Sequence, residues 1–148
     1  MPHFTLQTSP QGAVIDAWIA VSAARHAALT EAALPIPNPI QIRALIDTGA
    51  TSTCIDPSVL QTLNLTPTGS TTVETPSTGG IPVSADQYDI GLIVPAGDKQ
   101  RPLMVPNLPV ICMTLFPSMG YHALIGRDVL AQCVFSYNGS METFMLAY

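Results

Sequence analysis

The 148-residue sequence predicts an all-β domain, and three observations support this prediction. Apolar residues alternate with polar ones or form short runs, which is typical of strands, and helical spacing is rarer. The 14 prolines lie mainly between these runs, where they remove no ladder hydrogen bond. Turn-forming residues occupy the same intervals. The length favours one domain, residues 1–148, with a single core.

The first third of the chain contains three predicted strands and one insertion. Phe4–Leu6 is a short strand, and Ala13–Val21 is a longer one with apolar residues on both faces. The alanine-rich segment Ala23–Ala33 has helical spacing, and three closely spaced prolines after it prevent its continuation. We expect residues 23–39 to be an insertion between strands, and Ile40–Ile46 to be the next strand.

The rest of the chain reads as short strands with two short helical segments. Cys54–Leu63 contains a helical turn, because Asp56 can cap it and Pro57 suits the first helical position. The later predicted elements, in order, are the strands Tyr88–Val94, Leu103–Val105, Val110–Leu115 and Ala123–Ile125, the helix Asp128–Gln132 and the strand Phe144–Leu146.

A hairpin is predicted in the middle of the chain. Two short strands, Thr71–Glu74 and Ile81–Val83, flank a segment that contains Gly79 and Gly80. The two glycines can adopt the positive φ that a hairpin tip needs.

Composition excludes several classes of partner. The net charge is −5, the pI is about 4.8 and the five basic residues are scattered, whereas nucleic acids and anionic membranes require a basic face. The apolar stretches are interrupted before they reach bilayer length, and the N-terminus lacks a signal-peptide pattern. We therefore expect no nucleic-acid or membrane partner and a cytoplasmic location, which the three cysteines also suit.

The chain is also unusually apolar. Charged residues make up 10% of it, 47% are hydrophobic and the mean hydropathy is +0.35. Such a chain must bury most of its apolar surface or share a patch with a partner, and an interface is the simpler expectation.

The strongest functional signal is Asp47-Thr48-Gly49-Ala50, directly after an apolar strand. A carboxylate at the end of a buried strand is costly to desolvate, which makes Asp47 a candidate functional group. Thr48 adds a short hydroxyl, Gly49 permits close approach of another backbone or a ligand, and Ala50 keeps the turn small. On their own these residues also suit an ordinary capped turn.

A second segment, His122–Leu130, reads as a buried strand that meets a glycine and turns into a short helix. Together, the Asp-Thr-Gly-Ala turn and Leu124–Asp128 resemble the paired signature of the retropepsin-like aspartic proteases. In that family the turn is followed, most of a domain later, by two apolar residues, Gly, Arg, and Asp or Asn. The resemblance covers roughly residues 13–148, with one insertion.

The resemblance implies a closed, barrel-like acid-protease fold with a flap hairpin. It also implies a homodimeric endopeptidase that acts on polypeptides, since one chain supplies one Asp47 and two-fold symmetry supplies the second carboxylate. Asp47, Thr48 and Gly49 are the implied catalytic residues. The Thr48 hydroxyls would bond across the two-fold axis, and the Gly49 carbonyls would receive the substrate backbone. No cofactor is expected, and the scattered histidines suggest no metal site.

Ala50 and the flap residues Thr78, Gly79 and Gly80 are the expected substrate-binding residues. The glycines are either plain turn residues or hinges that allow closure over a substrate. The flap departs from the family because it contains Pro76 and lacks a fully glycine-rich tip.

Gly126, Arg127 and Asp128 are expected to be structural. Asp128 suits the N-terminus of a helix, and the Arg127 guanidinium suits carbonyls or a carboxylate near the dimer seam. Retroviral relatives often carry an aspartate at the position of Thr51, where it pairs with this arginine. Here Arg127 needs another partner, with Asp56 or a main-chain carbonyl as candidates.

Rival functions remain open. One is a catalytically weak, dimeric peptide-binding or regulatory module of the same fold; another is a part of a larger processing system that cleaves only its own precursor. The intact Asp47 favours an enzyme, because a binding module has no need of a costly carboxylate. Cys54 is a weak alternative nucleophile, since no histidine has a clear claim to activate it. No Gly-x-Ser-x-Gly pattern of a serine hydrolase is present.

Overall fold

The structure, a computed structural model, describes residues 1–115 and 117–148. Strands in these ranges are β1 (His3–Gln7), β2 (Val14–Val21), β3 (Ile40–Ile46), β4 (Cys54–Ile55), β5 (Gly69–Val73), β6 (Val83–Val94), β7 (Leu103–Cys112), β8 (Ala123–Ile125), β9 (Val134–Asn138) and β10 (Thr143–Ala147). The helices are α1 (Ala23–Glu31), α2 (Pro57–Thr62) and α3 (Arg127–Leu130), with 3-10 turns at Pro76–Thr78 and Pro117–Met119. No helix in the described ranges has the length and apolar character needed to cross a lipid bilayer.

Six strands close into a barrel. Their order is β2-β3-β8-β4-β7-β6, and β2 also pairs with β6, which joins the two edges. β5 extends the sheet beyond β6. The β3–β8 and β4–β7 pairs are parallel, so the barrel combines parallel and antiparallel ladders. The predicted all-β, closed, barrel-like fold is confirmed, and so is the short helix after β8.

A second sheet of three strands, in the order β1-β10-β9, packs on the barrel. Phe144 and Leu146 of β10 are 1% exposed and belong to the same buried cluster as the barrel interior. The Tyr148 hydroxyl donates to the carbonyl of Val94 at 3.3 Å, which attaches the end of the chain to β6. The two sheets therefore share one core.

The insertion forms mainly a helix outside the barrel. α1 is capped by Ser22, whose hydroxyl accepts a hydrogen bond from the Arg25 N–H, and only Leu29 of the helix is buried. Asn107 on β7 accepts a second bond from Ala24 N–H. β2 and β3 still pair directly, so the insertion leaves the barrel ladder intact.

Several strands differ from the prediction: β4 lies in a segment predicted as helical, β6 joins two predicted strands, and β7 and β9 differ as follows. β7 is one strand where two were predicted, Leu103–Val105 and Val110–Leu115, and it continues through Pro106 and Pro109. On the β7 side, β4 reaches only Ile111 and Cys112, so the proline-containing part of β7 has β6 on one side alone, and proline is tolerated there. β9 was not predicted because most of its side chains are exposed and carry no apolar alternation.

The β5–β6 hairpin is present, with a longer tip than predicted. Residues 74–82 separate the strands, and Ile81 lies in the tip, 68% exposed, instead of in a strand. The tip contains a 3-10 turn followed by Gly79 and Gly80, whose φ values of 63° and 77° favour glycine.

Candidate active site

Parallel pairing of β3 and β8 places the two sequence motifs side by side. Ile46 lies opposite Ile125, so both strands end at the same level of the barrel. The Asp47 N–H donates to the Ile125 carbonyl at 3.0 Å, which continues this ladder by one bond. The carboxylate that follows β3 therefore emerges beside the Gly-Arg-Asp segment that follows β8.

The Asp47 turn is closed by its own backbone. Asp47 Oδ1 accepts a hydrogen bond from the Gly49 N–H at 2.9 Å, and the Asp47 carbonyl accepts one from Ala50 N–H at 3.2 Å. A Cβ at position 49 would lie 3.1 Å from Asp47 Oδ1, so a side chain there would press on the carboxylate. These contacts fix the orientation of a half-buried carboxylate.

Arg127 holds the turn from the other motif. Its backbone N–H donates to the Ala50 carbonyl at 2.9 Å, and its guanidinium donates to the Thr48 carbonyl at 3.2 Å and the Thr51 hydroxyl at 3.1 Å. The main-chain carbonyl was one of the two candidate partners. Thr51 supplies a neutral acceptor for the same arginine.

Asp56, the other candidate, does not bind Arg127. Its carboxylate caps α2 by accepting from the Ser58 N–H and hydroxyl, and it also accepts from the Leu115 N–H at 3.0 Å. Burial alone would raise the pKa of Asp56, but the Ser58 and Leu115 bonds, aided by His122, outweigh it and lower the pKa. The stability this gives is present above the ordinary Asp range and is lost as pH falls through the lowered pKa.

Glycine is required at position 126 because the structure leaves no room there for a side chain. A Cβ there would lie 2.6 Å from the Ser52 carbonyl carbon and 2.9 Å from the Thr53 nitrogen, both backbone atoms. Its φ of −87° is accessible to any residue, so the requirement is close approach of the two segments.

Thr53 is a residue that the sequence analysis missed. It is fully buried and donates to both oxygens of Asp128, from its hydroxyl and from its N–H, each at 2.8 Å. Its hydroxyl also accepts from the Gly126 N–H at 3.1 Å. Asp128 does lie in the first turn of α3, as expected, and in addition it ties that helix to the segment after the Asp47 turn.

A cleft of about 630 Å³ opens beside Asp47. Its lining includes Asp47, Gly49 and Ala50 from the turn, and apolar side chains from the barrel. Residues 71–76 of the hairpin complete it. Thr78 lines an adjoining cavity of about 480 Å³, which shares Val73, Thr75 and Met113 with the cleft.

The structure brings together some of the predicted site residues and leaves others apart. Gly79 and Gly80 line neither cavity, and their predicted contact with substrate stays a prediction. Thr48 is exposed next to the cleft, and its hydroxyl makes no hydrogen bond within residues 1–115 and 117–148.

Cys54 also lines the cleft, but its thiol is not activated. Burial, with smaller effects from the charges of Asp128 and Asp47, raises its pKa to about 11. The Sγ atom contacts the Ser52 carbonyl at 3.6 Å. The thiol therefore stays protonated near neutral pH, which argues against the cysteine-nucleophile interpretation.

Alkylation tests this protonation state. We expect iodoacetamide to modify Cys54 slowly in the folded protein near neutral pH, and faster as the pH approaches about 11. In the native state the Cys54 thiol keeps a proton that it releases in the unfolded state at the same pH. The free energy of unfolding should therefore fall as pH rises above the ordinary pKa of a cysteine. Peptide mapping measures the rates, and the urea-unfolded protein is the control. Rapid alkylation of folded Cys54 near neutral pH would contradict the account.

Comparison with known proteins identifies the family. A family model described as aspartyl protease matches residues 36–129, which include the Asp47 turn, the hairpin and the Gly-Arg-Asp segment. The chain belongs to the aspartyl protease family. Its similarity to a solved structure, a retropepsin-like aspartic protease from Rickettsia conorii, has a TM-score of 0.57 at 14% identity and covers 99% of this chain and 90% of that one. This aspartyl protease thus has a retropepsin-like fold; no curated protein matches its sequence.

Proposed function

We propose that this aspartyl protease is an endopeptidase that hydrolyses peptide bonds with a dyad made of Asp47 from two copies of the chain. The observation that carries the proposal is the fixed, half-buried Asp47 carboxylate on the wall of a cleft of about 630 Å³. The Gly49 N–H holds Oδ1, while Oδ2 has no hydrogen-bond partner in the described part of the chain. One oxygen is thus positioned and the other is available to a water or a second carboxylate.

Three features support a second copy as the source of the second carboxylate. Among the residues that the structure describes, Glu74 is the only other acidic residue lining the cleft; it belongs to the hairpin and lacks the rigid turn that holds Asp47. The exposed Thr48 hydroxyl is free to bond across a two-fold axis, as the resemblance implies. Exposed apolar side chains, including Ile81, Val134 and Tyr137, provide surface that an interface can cover.

The proposed chemistry follows from two carboxylates at short distance. They share one proton, because both cannot ionise cheaply. The ionised carboxylate accepts a proton from the water as the water oxygen attacks the scissile carbonyl carbon, and the protonated one donates to the carbonyl oxygen. The neutral tetrahedral intermediate then collapses: the carboxyl that took the water proton gives it to the amide nitrogen, the other carboxylate accepts a proton from a hydroxyl of the intermediate, and the C–N bond breaks. A carboxylic acid and an amine leave, the dyad again holds one proton, and no covalent enzyme adduct forms.

The other roles follow the same scheme. Gly49 and Ala50 receive the extended substrate backbone, and the β5–β6 hairpin with Thr78, Gly79 and Gly80 acts as a flap that closes on it. Gly126, Arg127 and Asp128 keep the turn rigid. The whole chain acts as one protease domain with α1 and the following prolines as its insertion, and its three free cysteines suit a cytoplasmic enzyme.

Cleavage of an unbiased peptide pool, from acidic to neutral pH, tests the proposal. New termini detected by mass spectrometry should appear with the parent protein. They should be suppressed by a peptide analogue in which a hydroxyl-bearing group that cannot be hydrolysed replaces the scissile bond, because such a group mimics the tetrahedral intermediate. Binding of peptides without any new termini would favour the catalytically weak module.

A further inference from the structure

In the described part of the chain, the charged side chains that line the cleft and its adjoining cavity are all acidic. Asp47 and Glu74 line the cleft, and Asp86 lines the adjoining cavity. No lysine, arginine or histidine of residues 1–115 and 117–148 lines either space, and the chain as a whole carries a net charge of −5. A concave surface of one sign focuses its field on whatever enters it.

Glu74 has no visible role inside the chain. It follows the last residue of β5, it is exposed, and its carboxylate makes no hydrogen bond or ion pair with the described residues. Its neighbours in the hairpin, Thr71–Val73 and Thr75–Pro76, line the same cleft. The carboxylate is therefore placed to meet a bound ligand without first breaking an internal contact.

We propose that Glu74 selects substrates that carry a lysine or arginine side chain close to the scissile bond, an inference that rests on the proposed peptidase function. The ammonium or guanidinium would pair with a carboxylate that becomes partly shielded from water when a peptide fills the cleft. An acidic substrate side chain at the same place would meet Glu74 and the ionised partner of the Asp47 dyad, both of like charge.

The rest of the lining is mixed. Val73, Ile111, Met113 and Leu124 offer apolar side chains without a charged group or strong hydrogen-bond donor, and five hydroxyl residues lie among them: Thr51, Ser52, Thr71, Thr72 and Thr75. The substrate class is thus a peptide with a basic residue at a fixed distance from the cleaved bond and with apolar or neutral polar side chains elsewhere. In a symmetric dimer each copy brings its own Glu74, so basic residues are selected on either side of that bond.

Short peptides with capped termini test the inference. In a positional scan, each position carries either arginine or citrulline, which has nearly the same shape and no charge. We expect the arginine peptide to be favoured about three- to tenfold in kcat/KM at one or two positions, with the preference reduced by salt. Binding of the same peptides to the Asp47→Asn protein measures the preference without cleavage.

Three variants assign the preference to Glu74. Glu74→Gln should abolish the preference for arginine over citrulline, and the citrulline peptides should still be cleaved. Glu74→Lys should reverse the charge preference, so that a glutamate peptide is favoured. Glu31→Gln is the matched control, since Glu31 is an exposed glutamate at the end of α1 and lines neither cavity. It should retain the preference.

The outcomes separate this inference from the proposed function. If no peptide is cleaved but the Asp47→Asn protein binds arginine peptides better in a Glu74-dependent way, the peptidase proposal fails and the specificity inference survives. If cleavage occurs and arginine and citrulline peptides behave alike at every position, the inference is overturned and the function stands. Equal or undetectable binding of both peptides, or the same loss in Glu31→Gln, also overturns it.

Discussion

Replacing Asp47 with asparagine is expected to lower kcat/KM for peptide cleavage by about 10³-fold or more, with the fold preserved. Asparagine keeps the shape of the side chain and an oxygen that can accept the Gly49 N–H bond. It removes the ionisable group that must accept a proton from the attacking water. The loss should therefore fall mainly on kcat, and unfolding in urea should be nearly unchanged.

The matched control is Asp16→Asn, which makes the same chemical change at an exposed position on β2 outside the cleft. That variant should cleave peptides as the parent does. Near-parental turnover by Asp47→Asn would contradict the aspartic-protease mechanism, whatever the fold.

Gly126→Ala is expected to destabilise the protein by about 3 kcal/mol, a large part of the roughly 5–15 kcal/mol that holds a typical domain folded. The new methyl group would overlap the Ser52 and Thr53 backbone, which cannot move aside as a flexible side chain would. Separation of these segments would also strain the bonds from Thr53 to Asp128. Urea titration monitored by circular dichroism gives the change in unfolding free energy.

Gly69→Ala is the control for the glycine change itself. No atom lies within 4 Å of a Cβ built there, and Gly69 is in a strand, where alanine is favoured over glycine by about 0.5 kcal/mol. This variant should be as stable as the parent or slightly more so. A Gly126→Ala protein of parental stability would show that the two motifs are not packed as closely as the structure has them.

The parts of the site that could be predicted from sequence are the polar residues that directly follow a predicted strand. Asp47 and Gly126-Arg127-Asp128 each follow a short apolar run, so their polar character stands out from its surroundings. Their mutual contact was predictable only through the family resemblance, because parallel pairing of β3 and β8 joins segments about half the chain apart.

Thr53 and the exact place of the hairpin glycines could not be predicted. Thr53 is buried because β4, a strand of two residues, inserts between β7 and β8, and such a short strand leaves no periodic signal. The position of Gly79 and Gly80 outside both cavities depends on the length of the tip, where Ile81 adopts no strand pairing. The acceptors of the Arg127 guanidinium could not be predicted either, because they depend on the conformation of the Asp47 turn, which composition does not specify.

The central claim is that two chains share one catalytic site, and mixing parent with Asp47→Asn chains tests it most directly. Both are unfolded together and refolded at fixed total concentration, so that pairs form at random. Because a mixed pair has a single Asp47 carboxylate, activity should fall with the square of the parent fraction. A linear fall would mean that each chain cleaves on its own, and it would contradict the shared dyad.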